Sequence, residues 1–227
     1  MTRKGYRHRV VIQDRSGSME KILEGAQAGL DEFLAAEGDS HRTGKVTVSL
    51  WDFDTEIRCV HSFETPEAVR GYQIRPRGGT NLYDAVVLAV AAEGRKLAEL
   101  PGDQRPEDVT VVIDSDGEHN TWVEHDGPEA KEALEHQQDA YGWRVLYMGC
   151  GQAAFDEGAR IGTRSGLSVN TVSSNTGQRN AWKMSSDYLS RAPVASAAAA
   201  AGSYDLSLEE RSLGESGEEA PATEGEN

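Results

Sequence analysis

Asp14-Arg15-Ser16-Gly17-Ser18 follows directly on the apolar run Val10-Val11-Ile12. A β-rich run that stops at a carboxylate and two hydroxyls is not ordinary core. In an open parallel sheet, ligands bind in the crevice at the carboxyl ends of the strands. Asp14, Ser16 and Ser18 lie two residues apart, so in an extended turn they project to the same side. All three offer hard oxygen. That suits Mg²⁺ or Mn²⁺ and not zinc, which prefers imidazole or thiolate.

Two later segments extend the pattern. Gly78-Gly79-Thr80 precedes a helical stretch that starts near Leu82, and Ser115-Asp116-Gly117 follows the apolar run Val109-Thr110-Val111-Val112-Ile113. Taken singly, each has a plainer reading: Asp14 and Ser18 cap one helix, and Thr80 caps the next. Taken together, in this order and each at the end of a strand, they read as one oxygen-rich metal site.

The elements between them alternate. Residues 8–12 read as a strand. The following helix carries Ile22, Leu23, Ala26, Leu30, Phe33 and Leu34 at helical spacing, with Ser18 or a neighbour as its cap and Gly38 as its end. Residues 45–53 form a strand with Val46, Val48 and Leu50 on one face and Thr47, Ser49, Trp51 and Phe53 on the other. After a turn at Asp54-Thr55, residues 57–63 return as an antiparallel edge strand. Thr65-Pro66-Glu67 opens a short helix, and residues 75–79 form a loop. Residues 82–100 are a long helix. Residues 108–113 read as a parallel strand buried on both faces. Then come a helix at 128–141, a strand at 143–148, a short helix at 155–161, a strand at 168–172 and a last helix at 176–190. This alternation predicts a doubly wound, Rossmann-like α/β fold. Its mostly parallel sheet has about six strands and an antiparallel edge strand, with helices on both faces.

Asp-x-Ser-x-Ser, a distant Thr and an Asp at the end of a later strand resemble the metal-ion-dependent adhesion site (MIDAS) of von Willebrand factor A domains. The resemblance spans residues 7–191. Asn81-Leu82-Tyr83-Asp84-Ala85 and Asp116-Gly117-Glu118-His119-Asn120 are similar to bacterial or phage, intracellular members. It implies that Ser16 and Ser18 bind Mg²⁺ (or Mn²⁺) through their hydroxyls, and Thr80 directly or through water. Asp14 and Asp116 would hold coordinated waters, and a carboxylate from a partner would complete the shell. Aligning Ser115-Asp116-Gly117 with the family's usual Thr-Asp-Gly makes Asp116 the acid of the site and gives Asp114 a supporting role. A shifted register would exchange the two. Neutral hydroxyls leave the ion residual positive charge, so it seeks that outside acid. The implied function is a metal-dependent protein-binding module, not an enzyme, whose partner presents Asp or Glu. An AAA+ ATPase is one such partner class.

The alternative is an Mg²⁺-dependent phosphatase or hydrolase built on the same strand-end site. Aspartyl-phosphate phosphatases need a second Asp two residues after the first, and here that position is Ser16. No Gly-x-Ser-x-Gly elbow and no P-loop is present. His119 and His125 flank the Asp116 loop and read as solvated loop residues, with a place on the rim as the alternative. Asp52 and Asp54 read as a strand-end turn rather than a second cation site.

The bulk composition agrees. The chain has 227 residues, 37% apolar, and a formal charge of −15. That charge argues against nucleic acid or an anionic membrane as partner. Cys59 and Cys150 are expected to be buried free thiols. No apolar h-region stands near the start and no run reaches the ~18 apolar residues of a membrane span, which points to the cytoplasm. Residues 1–192 are expected to form the von Willebrand A-like domain. Residues 193–227 begin Ala-rich and then carry eight acids against the single Arg211. That composition predicts a disordered acidic tail, with a transient helix near residues 206–213.

Overall fold

The computed structural model describes residues 2–41, 44–117, 119–121, 124–150, 152–164 and 167–191. The expected acidic tail lies outside the described residues, as does the side chain of Cys150. Among the described residues there are six strands: β1 (Arg3–Asp14), β2 (Lys45–Phe53), β3 (Ile57–Glu64), β4 (Pro106–Asp114), β5 (Arg144–Cys150) and β6 (Ser168–Thr171). The helices are α1 (Leu23–His41), α2 (Pro66–Val69), α3 (Leu82–Glu99), α4 (Gly127–Tyr141), α5 (Gln152–Arg160) and α6 (Asn175–Arg191). The sheet order is β3-β2-β1-β4-β5-β6, parallel except for the antiparallel edge strand β3.

Alternation along the strands divides the core in two. Val11, Val48, Leu50, Val112, Leu146 and Met148 pack on one face with Leu30, Phe33 and Trp182 of α1 and α6. Val10, Ile12, Val111, Ile113 and Val145 pack on the other with Leu82, Val86, Val90 and Leu134 of α3 and α4. Central strands therefore bury both faces, which is why β1 and β4 read as continuous apolar runs. The strand order reverses between β1 and β4, so their carboxyl ends open a crevice.

Three expectations are corrected. Gly38 does not end α1, which runs on to His41. A Cβ at Gly38 would sit 2.9 Å from Glu67 Oε1, so this glycine makes room for a neighbour instead of capping. Ser18 does not cap α1 either. A 3₁₀ turn, Gly17–Ile22, precedes the helix, and Ser16 at its start makes no side-chain capping bond. Cys59 is an exposed free thiol, because its strand is the open edge of the sheet.

α1 and α6 approach closely. A Cβ at Gly29 would lie 2.6 Å from Trp182 Cδ1, and one at Gly25 would collide with the backbone of Asn175. Small residues one turn apart on α1 thus seat the last helix, with its indole ring wholly buried.

Candidate metal centre

β1 ends at Asp14 and β4 ends at Asp114, side by side at the switch point. Beyond them, three loops meet. Gly17 N donates to Gly78 O at 3.1 Å, Arg77 N to Arg15 O at 2.8 Å, and Asn120 N to Thr80 O at 3.2 Å. Asn120 Oδ1 accepts from Thr80 N at 2.9 Å, tying the Thr80 loop to the loop after β4.

Asp14 is fully buried. Its Oδ1 accepts from Ser16 N at 2.7 Å and its Oδ2 from Ser115 Oγ at 2.6 Å. Ser16 Oγ and Ser18 Oγ stand 3.0 Å apart, and Ser18 Oγ donates to Asp116 Oδ1 at 2.8 Å. Thr80 is also fully buried, and its Oγ1 has no hydrogen-bond partner. It does not cap α3, where Asn81 stands at the N-cap. A Cβ at Gly117 would sit 3.8 Å from both Ser18 Oγ and Thr80 Oγ1. Glycine there keeps open the space that these hydroxyls border. Asp14, Ser16, Ser18, Thr80 and Asp116 are thus brought into one cluster.

Asp114 points the other way, toward α6. It accepts from Gln13 Nε2 at 2.7 Å and from Gln178 Nε2. Asp116 is the acid beside the serines.

The cluster holds two acids, Asp14 and Asp116, with Asp114 behind it, and none of the three is ion-paired among the described residues. Burial pushes the carboxyls of Asp14 and Asp114 up to about 7, with the neighbouring carboxylates adding to the rise. Burial also raises Asp116, partly offset by its bond from Ser18. An oxygen-lined crevice with destabilised carboxylates and an orphaned buried hydroxyl fits a hard divalent cation. Among the described residues no group of three or more His, Cys, Asp or Glu is placed to hold a metal, so a cation here depends on the hydroxyls.

Several supporting residues carry no motif in the sequence. Arg15 is buried, with Nη1 at 2.8 Å from Asp54 Oδ2 and Nε at 3.2 Å from Asp52 Oδ1. The second contact is electrostatic, since Nε makes no hydrogen bond. Arg58 grips Asp52 with two bonds, and Arg77 Nε donates to Asp54 at 2.6 Å. Asp52 and Asp54 therefore serve arginines and not a second cation. Ser115 would have been visible only as the hydroxyl between two acids. Asp84 accepts from Asn81 Nδ2, Glu124 N and His125 N, which anchors the rim to α3. His119 stacks on Tyr83 with ring centroids 4.4 Å apart and donates from Nε2 to Thr121 O.

An open doubly wound domain with an acid and hydroxyl cluster at its switch point is the class this geometry defines. Comparison with solved structures makes it specific: the chain has the von Willebrand factor A fold. It is similar to proximal thread matrix protein 1 from the mussel byssus, at 20% identity and TM-score 0.59 over 79% of this chain and 47% of that one. A second structure of the mussel protein, with a zinc-occupied MIDAS motif, superposes with TM-score 0.60 at 19% identity, over 79% of this chain and 46% of that one. The chain thus spans less than half the length of the mussel protein. The vWF domain of the type V pili tip protein Mfa5 from Porphyromonas gingivalis matches with TM-score 0.57 at 12% identity, over 82% of this chain and 95% of that one. No protein-family model matches the sequence, and no curated protein matches it. Among the described residues no helix is long and apolar enough to cross a membrane.

Proposed function

We propose that this chain is a non-catalytic binding module that captures an acidic side chain of a partner protein through a divalent cation, Mg²⁺ or Mn²⁺. Ser16, Ser18 and Thr80 would hold the ion through hydroxyls, and Asp14 and Asp116 through water. The ion supplies an electrophilic position for an outside carboxylate. The observation that carries this reading is Thr80 Oγ1, buried and unpartnered beside the opening left by Gly117.

The chain's own residues do the rest. Ser115 and the Ser16 amide orient Asp14, and Gln13 and Gln178 hold Asp114 out of the crevice. Ser16 stands where a phosphatase of this type would place its general acid, and its hydroxyl is engaged with Ser18. That supports binding over turnover. Residues 1–192 are the binding unit and 193–227 a separate acidic extension. The setting we infer is the cytoplasm of a bacterial or phage system, with an AAA+ ATPase as a partner class. The exposed Cys59 thiol suits a reducing compartment.

Amide NMR tests the capture step. With Mg²⁺ present, a short peptide bearing one Glu is expected to shift the amides of Gly117 and Asn120. Its Gln counterpart is not, and EDTA should abolish the shift. Equal shifts from both peptides, or shifts that survive EDTA, would reject carboxylate capture.

A further inference from the structure

The opposite pole of the sheet carries a second opening. Between α3 and α4, where β1 and β4 begin, lies a cavity of about 450 Å³. Ala91, Leu97, Ala98, Val109 and Trp143 give it apolar walls, and Arg95 stands on its lining. Arg95 is exposed and makes no ion pair or hydrogen bond among the described residues. Arg105, by contrast, donates to the carbonyls of Leu100 and Ala98. At the mouth, Tyr141 is 63% exposed, more than any other large apolar side chain described, with His136 edge-on to its ring. Glu107 also lines it and accepts from Gly5 N, so two arginines face one acid, and an apolar cavity of this size with that net positive charge takes an apolar segment flanked by acids.

The chain carries such a segment. Beyond Val194 its large apolar residues are Tyr204, Leu206, Leu208 and Leu213, interleaved with Asp205, Glu209 and Glu210. The last described helix ends at the same pole on the other face of the sheet, so the connection has to round the end of the sheet to reach the cavity. The ring of Tyr188, near the end of α6, lies 5.8 Å from the guanidinium of Arg144. Arg144 opens β5 and directly follows Trp143 of the cavity wall. Residues 192–203 separate α6 from Tyr204, and a connection of that length reaches about 20 Å as a coil. The metal cluster stands a strand's length away, about 30 Å for a nine-residue strand such as β4.

We propose that residues 204–210 dock in this cavity of their own chain, with Tyr204, Leu206 and Leu208 against the apolar walls and the acids toward Arg95. Tethering makes a weak contact sufficient, because a short linker supplies an effective concentration on the order of millimolar. The extension would then be parked away from the metal site and would not compete with a partner's carboxylate there. This proposal does not depend on metal binding.

The test places the photo-cross-linker p-benzoylphenylalanine at position 204 of the full chain and maps its products by mass spectrometry. Cross-links within one chain to residues 91–98 and 136–143 are expected, unchanged by EDTA. Arg95→Glu should lower their yield about fivefold, as expected for losing one attractive charge and gaining a repulsive one, while Arg95→Lys should preserve it. Arg95 is a surface residue, so both variants keep the fold. Cross-links to the loops at 14–18, 78–80 or 115–120 would overturn the proposal. So would links between ¹⁵N-labelled and unlabelled copies, or a diffuse pattern indifferent to Arg95.

Discussion

Asp14→Asn is expected to raise the unfolding midpoint in metal-free buffer at pH 8, and to abolish any midpoint rise on adding Mg²⁺ or Mn²⁺. The cause is a fully buried carboxylate with no cation beside it. Burial pushes its pKa up to about 7, against an ordinary value of 3.8 in the unfolded chain. Between those pH values the native state holds more protons than the unfolded state, so without metal, stability falls as pH rises from about 4 to about 7. Above that window the penalty is complete, of order 2–4 kcal/mol. Asn lacks the charge and can still accept the bond from Ser16 N, so its variant should escape most of the penalty and show a flatter pH profile. A bound cation reverses the balance. It needs the carboxylate ionised, so metal affinity should strengthen up to about pH 7. At 100 times the dissociation constant it would stabilise the wild type by about 2.7 kcal/mol. A site that destabilises its own fold until occupied is the expected mark of function. Calorimetric scans of both proteins from pH 4 to 8, with EDTA and with metal, read the two effects separately. An Asn variant that is less stable in EDTA at pH 8 would contradict the account.

Arg15→Met is expected to cost about 3 kcal/mol of stability and to weaken metal binding at least tenfold. Its guanidinium lies between Asp52 and Asp54, both fully buried. Removing it leaves two buried carboxylates with less compensation, although Arg58, Tyr72 and Arg77 still contact them. The effect reaches the candidate site through the backbone. Arg15 O accepts from Arg77 N and Asp54 O accepts from Asn81 N, so the loop carrying Thr80 is set by both. Urea unfolding and Mn²⁺ titration check the two parts. The double variant Arg15→Met/Asp54→Asn should recover at least half of the lost stability. No recovery would mean that the loss comes from packing and not from stranded charge.

Most of the fold was legible because it rests on local periodicity. The alternation of Val48 and Leu50 against Trp51 and Phe53 gave β2 both of its faces. The unbroken Val and Ile run of β4 marked a strand covered on both sides. Asp14, Ser16, Ser18, Thr80 and Asp116 were legible as a set because each sits where a strand or loop ends. What escaped depends on register and packing between distant segments. Nothing local says that Gly25 and Gly29 are the seat of Trp182, or that Gly38 makes room for Glu67. The pairing of Arg15 with Asp52 and Asp54 exists only once β1 and β2 lie side by side. The direction of Asp114 follows from the pleat. It lies two residues beyond Val112, on the face that α6 covers, so it meets Gln178 and leaves the crevice to Asp116.

Isothermal titration of the full chain with Mn²⁺ at pH 7.5, beside Ser16→Ala/Ser18→Ala, tests the central claim most directly. One site per chain in the wild type, with affinity lost at least tenfold in the double variant while its fold persists, is the predicted result. Undiminished binding by the double variant, or no binding by the wild type at millimolar Mn²⁺, would contradict a cation held by these hydroxyls.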